Sequence, residues 1–250
     1  MSEHLLAPAR VNSVPDSTVS SAVVLPVYNE AGSVSTVLDA VRRFFGGPII
    51  VVDDGSTDET ARVLAAREDV DVLTLRENCG YGCALQAGFA RAHELGARHL
   101  VTMDCDGQHE PAHIPQFLVA LAEGGDVISG SRYLPGSRAV GAPPAQRREI
   151  NERVTAEINA VTGWGITDAF CGFKAYRVAA LRLLELSEPG YAMPLELWAK
   201  AFLAGLHVRE IPVERIYFDH DRSFGADLDD PEKRFGYYLR VWRQALGQET

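Results

Sequence analysis

The chain has 250 residues, of which 46% are hydrophobic and 23% charged, and a formal net charge of -10. These proportions exclude an intrinsically disordered or fibrous chain and fit one large soluble α/β domain. The acidic balance also excludes nucleic-acid polymers as ligands, because binding them requires a basic footprint.

Residues 1–20 mix Ser, Pro, Val and Asp with no helical or strand period and read as a poorly ordered lead-in. Residues 21–250 read as a single domain. Apolar runs predict strands over 22–27, 49–52, 70–75, 99–103 and 126–130, with helices over 33–45, 57–67, 83–95 and 111–122 between them. Strands separated by single helices need crossover connections, so the expected fold is α/β: a Rossmann-related, mostly parallel central sheet with helices on both faces. After Arg132 the rhythm breaks. A Pro- and Gly-rich stretch over 134–144 leads into a helix whose Ile150, Val154, Ile158 and Val161 form an apolar stripe that must pack on something. A Gly- and aromatic-rich stretch over 163–173, a helix over 193–204, strands over 207–212 and 214–218, and a helix over 231–246 complete the chain. The last helix gathers Phe235, Tyr238, Leu239 and Trp242 on one side. Docking on the body, or a homodimer contact, is favoured for it over a membrane surface, since nearby acidic residues oppose anionic lipid. No apolar stretch reaches the roughly 20 residues of a membrane span, and no basic-then-apolar leader opens the chain. A cytoplasmic protein is expected, peripheral at a membrane surface at most.

The polar clusters fall at the carboxyl ends of the expected strands, where sheets of this kind bind ligands. In Pro26-Val-Tyr-Asn-Glu30, Tyr28 can stack on a base while Asn29 and Glu30 can hydrogen-bond a ribose or base edge. In Asp53-Asp54-Gly-Ser-Thr-Asp58, Ser56 or Thr57 can cap the next helix and Asp58 and Glu59 can favour its positive end. Asp53 then has least structural reason to be acidic and is the expected base contact. In Asn78-Cys-Gly-Tyr-Gly82, Gly80 and Gly82 let the backbone approach a ligand. This loop is neither a Walker loop nor a dinucleotide fingerprint, because Leu85 stands three positions after Gly82. Asp104-Cys-Asp106-Gly-Gln108 places two carboxylates one residue apart, a geometry that holds a hard divalent cation against a phosphate. Of the four cysteines, Cys79 and Cys83 are four apart. With no second Cys or His pair at a ligand-like spacing, reduced, packed thiols are expected rather than a zinc site.

In this order the segments resemble the family 2 glycosyltransferases of GT-A fold, and among them the polyprenyl-phosphate (dolichyl-phosphate) mannosyl- and glucosyltransferases. The three loops above are joined by Asp104-Cys-Asp-Gly-Gln108, Gly130-Ser-Arg132, Asp168-Ala-Phe-Cys-Gly-Phe-Lys174 and Glu210-Ile-Pro-Val213, together covering residues 22–221. The resemblance implies a nucleotide-sugar half over about 21–132, an acceptor half over about 133–230 and a C-terminal helix over about 231–246. It implies that Pro26, Tyr28, Glu30, Asp53, Asp54, Gly80 and Asp104 hold the nucleotide. Asp104, Asp106 and Gln108 would hold Mg²⁺ or Mn²⁺, and Arg132, Asp168 and Arg222 would serve catalysis. The implied reaction is a metal-dependent, inverting transfer of a hexose from a donor of GDP-mannose or UDP-glucose type to polyprenyl phosphate, by a soluble member without transmembrane helices.

One segment departs from the pattern. Lipid-linked members place Arg-X-X-Gly-X-Ser-Lys after the Ile-Pro-Val strand; here Arg222 and Gly225 keep that spacing, but Asp227-Leu228 replaces Ser-Lys. A lipid phosphate is already an anion and needs no base, whereas a hydroxyl acceptor needs a carboxylate to take its proton. A second expectation therefore keeps the donor chemistry, makes the acceptor a soluble hydroxyl compound and assigns Asp168 as base, a residue that reads equally well as a loop hydrogen-bonder. A third is a nucleotide-sugar-binding regulator without turnover, disfavoured because both metal carboxylates and Arg132 are present.

Overall fold

The computed structural model describes residues 20–217 and 226–248. Its first half alternates β1 (Ser21–Val27), α1 (Val34–Phe44), β2 (Ile49–Asp53), α2 (Thr60–Ala65), β3 (Asp71–Thr74), α3 (Tyr81–Glu94), β4 (His99–Thr102), α4 (Ile114–Glu123) and β5 (Val127–Ser131). The second half contains β6 (Ala139–Val140), α5 (Ala145–Thr162), β7 (Lys174–Arg177), α6 (Val178–Leu181), α7 (Met193–Leu203), β8 (Val208–Pro212), β9 (Arg215–Ile216) and α8 (Pro231–Ala245). Every residue of β2 is buried, as expected of a β-branched run covered by helices on both faces. In α1, Val34, Val37, Leu38 and Val41 recur at helical spacing and are the buried residues.

The main sheet has the order β3-β2-β1-β4-β7-β5-β8, and β6 pairs with β9 in a separate two-stranded ribbon. β1 runs parallel to β2 and β4, and β5 parallel to β8. β7 is antiparallel to both its neighbours, with Ala175 opposite Val101 of β4 and Ile128 of β5. The sheet is thus mostly parallel and sandwiched between helices, a GT-A-like arrangement. One core packs α1 and α4 on one face; the other packs α3, α5, α7 and α8 on the opposite face. No described helix is long and apolar enough to cross a membrane.

Several details correct the expectations. β7 lies in a segment, residues 174–192, for which no element was expected. The stripe on α5 buries Ile150, Val154 and Ile158 but leaves Val161, in the helix's last turn, 40% exposed. The segment expected to be helical from residue 57 begins its helix at Thr60, since Thr57 is drawn into a loop hydrogen bond described below. Cys79 and Cys83 form a disulfide; Cys105 and Cys171 are the free, buried thiols. α8 docks on the body, with Tyr238, Val241 and Trp242 buried in the α3–α5–α7 core.

α3 approaches the sheet closely because it carries a glycine at its contact point. A Cβ at Gly88 would lie 2.4 Å from Val24 Cγ1 in β1. Gly88→Ala should therefore destabilise by about 1–3 kcal/mol through overpacking, against the roughly 1 kcal/mol that helix propensity alone would return. Urea unfolding checks this: an unchanged or higher midpoint would show that the sheet yields.

Candidate active site

Because β1, β2 and β4 are adjacent and parallel, the loops that follow them meet at one edge of the sheet. Asn29 adopts a left-handed backbone (φ 55°), which asparagine tolerates, and ties two of the loops together. Its N–H donates to Ser56 Oγ at 2.9 Å, and its Oδ1 accepts from the Thr57 N–H at 2.8 Å. The Glu30 N–H donates to Thr60 Oγ1 at 2.8 Å. Asp53 is buried beneath this junction, where its Oδ1 accepts the Ser56 N–H at 3.0 Å. Asp54, not Asp53, is the acid of this pair that lines the cleft. Its two oxygens accept the N–H groups of Cys79 and Gly80 at 2.8 and 2.9 Å. Burial pushes the Asp54 carboxyl above its ordinary range, opposed by those two amides. Gly80 is required by its φ of 105° and by Pro189 O, which would lie 2.5 Å from a Cβ.

Asp104 follows β4 and is held from several sides. The Tyr81 hydroxyl donates to its Oδ1 at 3.2 Å, and its own N–H donates to His109 Nδ1 at 3.0 Å. His109 Nε2 faces its Oδ2 at 3.8 Å. Burial raises the Asp104 carboxyl above its ordinary range, and Asp106 adds to the rise. Asp106 Oδ1 accepts the Gln108 N–H at 2.9 Å, closing a turn that fixes the second carboxylate. Asp104, Asp106 and Gln108 line a cleft of about 910 Å³, together with Pro26, Tyr28, Glu30, Asp54, Gly80 and Arg132. Among the described residues no group of three His, Cys, Asp or Glu side chains could cage a metal. Two carboxylates at the edge of a roomy cleft suit Mg²⁺ or Mn²⁺, which take much of their shell from water and substrate phosphates.

The loop at 170–173 passes directly behind Asp104. A Cβ at Gly172 would lie 2.5 Å from Asp104 Oδ2. Gly172→Ala should displace that carboxylate and cost about 10²-fold in turnover, as small misplacements of reacting groups do. The metal concentration for half-maximal rate should rise alongside; a normal metal dependence with normal turnover would remove Asp104 from the site.

Arg132, which also lines the cleft, follows β5 and forms a two-pronged pair with Asp168. Its Nε and Nη2 donate to the two Asp168 oxygens at 2.7 and 2.9 Å, while Nη1 donates to the Tyr217 hydroxyl at 3.1 Å. Asp168 is completely buried and does not line the cleft. Asn151 Nδ2 and the Phe170 N–H also donate to it, at 2.8 and 3.2 Å. Glu210 on β8 clamps the same turn by accepting the N–H groups of Thr167 and Asp168. Burial pushes the Asp168 carboxyl up, but the Arg132 charge and these hydrogen bonds outweigh it and hold the group below its ordinary range. A sealed, stabilised carboxylate of this kind orients Arg132 and is a poor proton acceptor. The remaining lining includes Tyr133, Arg147, Asn151, Tyr217, Arg234 and Tyr238.

Of the residues expected from sequence, nine thus line one cleft, Asp53 and Asp168 lie behind it, and Arg222 lies outside the described residues. Sequence reading missed Tyr81, His109, Asn151, Arg147 and Arg234. Tyr81 stood inside a motif already singled out; the others sit on helices or turns whose facing only the fold reveals.

The profile of glycosyl transferase family 2 matches residues 22–184. Polyprenol monophosphomannose synthase of Mycolicibacterium smegmatis is 33% identical, over 78% of this chain and 77% of its own length. Undecaprenyl-phosphate mannosyltransferase of Micrococcus luteus is 32% identical, over 76% of this chain and 81% of its own. Among solved structures, glucosyl-3-phosphoglycerate synthase from Mycobacterium tuberculosis, in complex with Mn²⁺, UDP and glucosyl-3-phosphoglycerate, has a TM-score of 0.71 and 22% identity, covering 93% of this chain and 82% of that one. That fold match corrects the narrower expectation: the assignment to the polyprenyl-phosphate branch, and with it the polyprenyl phosphate acceptor, is overturned. The replacement of Ser-Lys by Asp227-Leu228 agrees with the correction. Donor-side motifs in the expected order at the carboxyl edge of a GT-A-like sheet, with the profile match across most of the chain, show that this protein belongs to glycosyltransferase family 2.

Proposed function

We propose that this enzyme transfers a hexosyl group from a nucleotide-diphosphate sugar to a hydroxyl of a small, phosphate- or carboxylate-bearing acceptor, with Mg²⁺ or Mn²⁺ on the donor diphosphate. The observation that carries this reading is the mixed charge of the large cleft, whose lining brings Asp104 and Asp106 together with Arg132, Arg147 and Arg234. Among the other lining residues Tyr28, Glu30 and Asp54 suit a nucleoside, Tyr28 offering a half-exposed ring for the base. A bound divalent ion there neutralises charge that grows on the leaving diphosphate. Asp104 and Asp106 are the residues that would hold it, Tyr81 orients Asp104, and Gln108 stiffens the turn of Asp106 through its N–H. The guanidinium groups of the lining give the cleft positive charge that suits an acceptor anion. Phosphoglyceric acid, bound by the M. tuberculosis synthase, is a compound of that class. Asp168 acts here by fixing Arg132, and as the acceptor oxygen bonds the anomeric carbon and the diphosphate leaves, the hydroxyl proton passes to one of the carboxylates that line the cleft rather than to Asp168.

A mass-spectrometric assay tests the proposal by crossing UDP- and GDP-hexoses with phosphoglycerate, other phosphorylated hydroxy acids, neutral sugars and polyprenyl phosphate, with Mn²⁺ or Mg²⁺ present. Metal-dependent glycosylation of a phosphorylated hydroxy acid is expected. Turnover confined to neutral sugars or to polyprenyl phosphate would overturn it.

A further inference from the structure

We propose that Cys79 and Cys83 form a reversible thiol–disulfide site that sets the geometry of the donor end of the cleft. The two cysteines are joined, with Cα atoms 5.8 Å apart, and both are half-buried, whereas Cys105 and Cys171 are fully enclosed. The bond spans Gly80-Tyr81-Gly82, and this short loop touches both acidic clusters. The N–H groups of Cys79 and Gly80 hold Asp54, and the Tyr81 hydroxyl holds Asp104. The Cys83 N–H donates to Pro189 O at 3.0 Å, and Tyr81 stacks on Tyr191 at 6.1 Å, so the loop also anchors the segment before α7.

Gly80 and Gly82 flank Tyr81 where the chain enters α3, a helix start that two glycines leave free to fray, and a covalent bridge removes that freedom. Cys83 lies in the first turn of α3, a 14-residue helix whose N-terminus favours a thiolate. In the exchange, a thiolate of an external dithiol attacks one sulfur and breaks the Cys79–Cys83 bond, forming a mixed disulfide. The second thiol of the reductant displaces the remaining sulfur. Both cysteines end as thiols and the dithiol as its own disulfide; a small-molecule disulfide reverses the sequence. The reduced loop holds Asp54 and Asp104 less firmly, so donor binding weakens.

The experiment uses the full chain, first equilibrated with oxidised glutathione and then reduced with dithiothreitol. Iodoacetamide labelling should spare all four cysteines in the first state and mark Cys79 and Cys83 alone in the second. Amide exchange over 78–84 and 187–191 should quicken on reduction and the rest of the sheet remain unchanged. Binding of UDP or GDP with Mn²⁺ should weaken by about three- to tenfold, within the reach of a cross-link over a short loop. The Cys79→Ser/Cys83→Ser variant should show the reduced values in both conditions. Labelling of Cys79 and Cys83 in the oxidised sample, or exchange and affinity that ignore reduction, would overturn the proposal. Only the nucleotide arm rests on the transferase reading: if neither nucleotide binds in either state while labelling and exchange still respond, that reading fails and the cysteine site stands.

Discussion

Asp106→Ala should lower sugar transfer by at least about 10³-fold, equivalent to roughly 4 kcal/mol of lost transition-state stabilisation. Asp106 is the cleaner of the two carboxylates to remove. Asp104 is packed against Tyr81, His109 and Gly172, so changing it disturbs its surroundings as well as the metal. Asp106 lines the cleft and accepts the Gln108 N–H. Losing that bond should cost only about 1 kcal/mol of stability. The expected signature is therefore a folded protein with nearly unchanged melting that still binds nucleotide weakly but does not turn over at saturating Mn²⁺. Undiminished turnover in this variant would refute the assignment of the metal carboxylates.

Asp168→Asn should be the most damaging change at the acceptor end, for two separable reasons. Asparagine cannot accept both Arg132 donors with a full negative charge, so a buried guanidinium is left without its counter-ion. Breaking such a pair costs about 3–5 kcal/mol, a large share of a domain's stability. The pH dependence identifies the mechanism. The Asp168 carboxyl lies below its ordinary value of 3.8 in the folded chain, so its contribution is complete above that value and is lost as pH falls through the lowered one. Wild-type melting should accordingly drop steeply below about pH 4, and Asp168→Asn should flatten part of that drop. If Asp168 acts only through Arg132, the double variant with Arg132→Ala should lose little more activity than either single variant. Fully additive losses would instead point to a direct chemical role for Asp168.

The donor end of the site was legible in the sequence because each of its clusters closes an apolar run, and a parallel sheet brings the carboxyl ends of such runs to one edge. Which member of a pair faces the cleft was not. Asp53 ends β2 and Asp54 follows it, and neighbouring side chains in extended backbone point opposite ways, one under the loop and the other into the cleft. The acceptor side was harder to read because several of its residues lie on α5 and α8, helices whose apolar stripes are periodic but do not reveal which polar side chains face the cleft. Asn151 lies within α5, where polar residues usually face water, yet it is buried against Asp168. β7 escaped for another reason: Lys174-Ala-Tyr-Arg177 has neither an apolar run nor an alternating pattern of useful length. It is a strand because two edges of sheet await it. The cysteine pair was misread because spacing alone does not reveal that a helix start turns the two sulfurs toward each other.

The position of β7 has a consequence for how the protein is made. The block β3-β2-β1-β4 involves residues no later than Thr102, so it can assemble while the remainder of the chain is still being synthesised. β5 follows soon after, but its two neighbours in the sheet, β7 and β8, begin at Lys174 and Val208. For that interval β5 has no partner, and β4 keeps one edge open. A ribosome pausing between these points would hold out a half-sheet with an unpaired, apolar margin, the state from which nascent chains pair with one another. Synonymous changes that slow translation over residues 131–174 should therefore lower soluble yield without altering a single side chain.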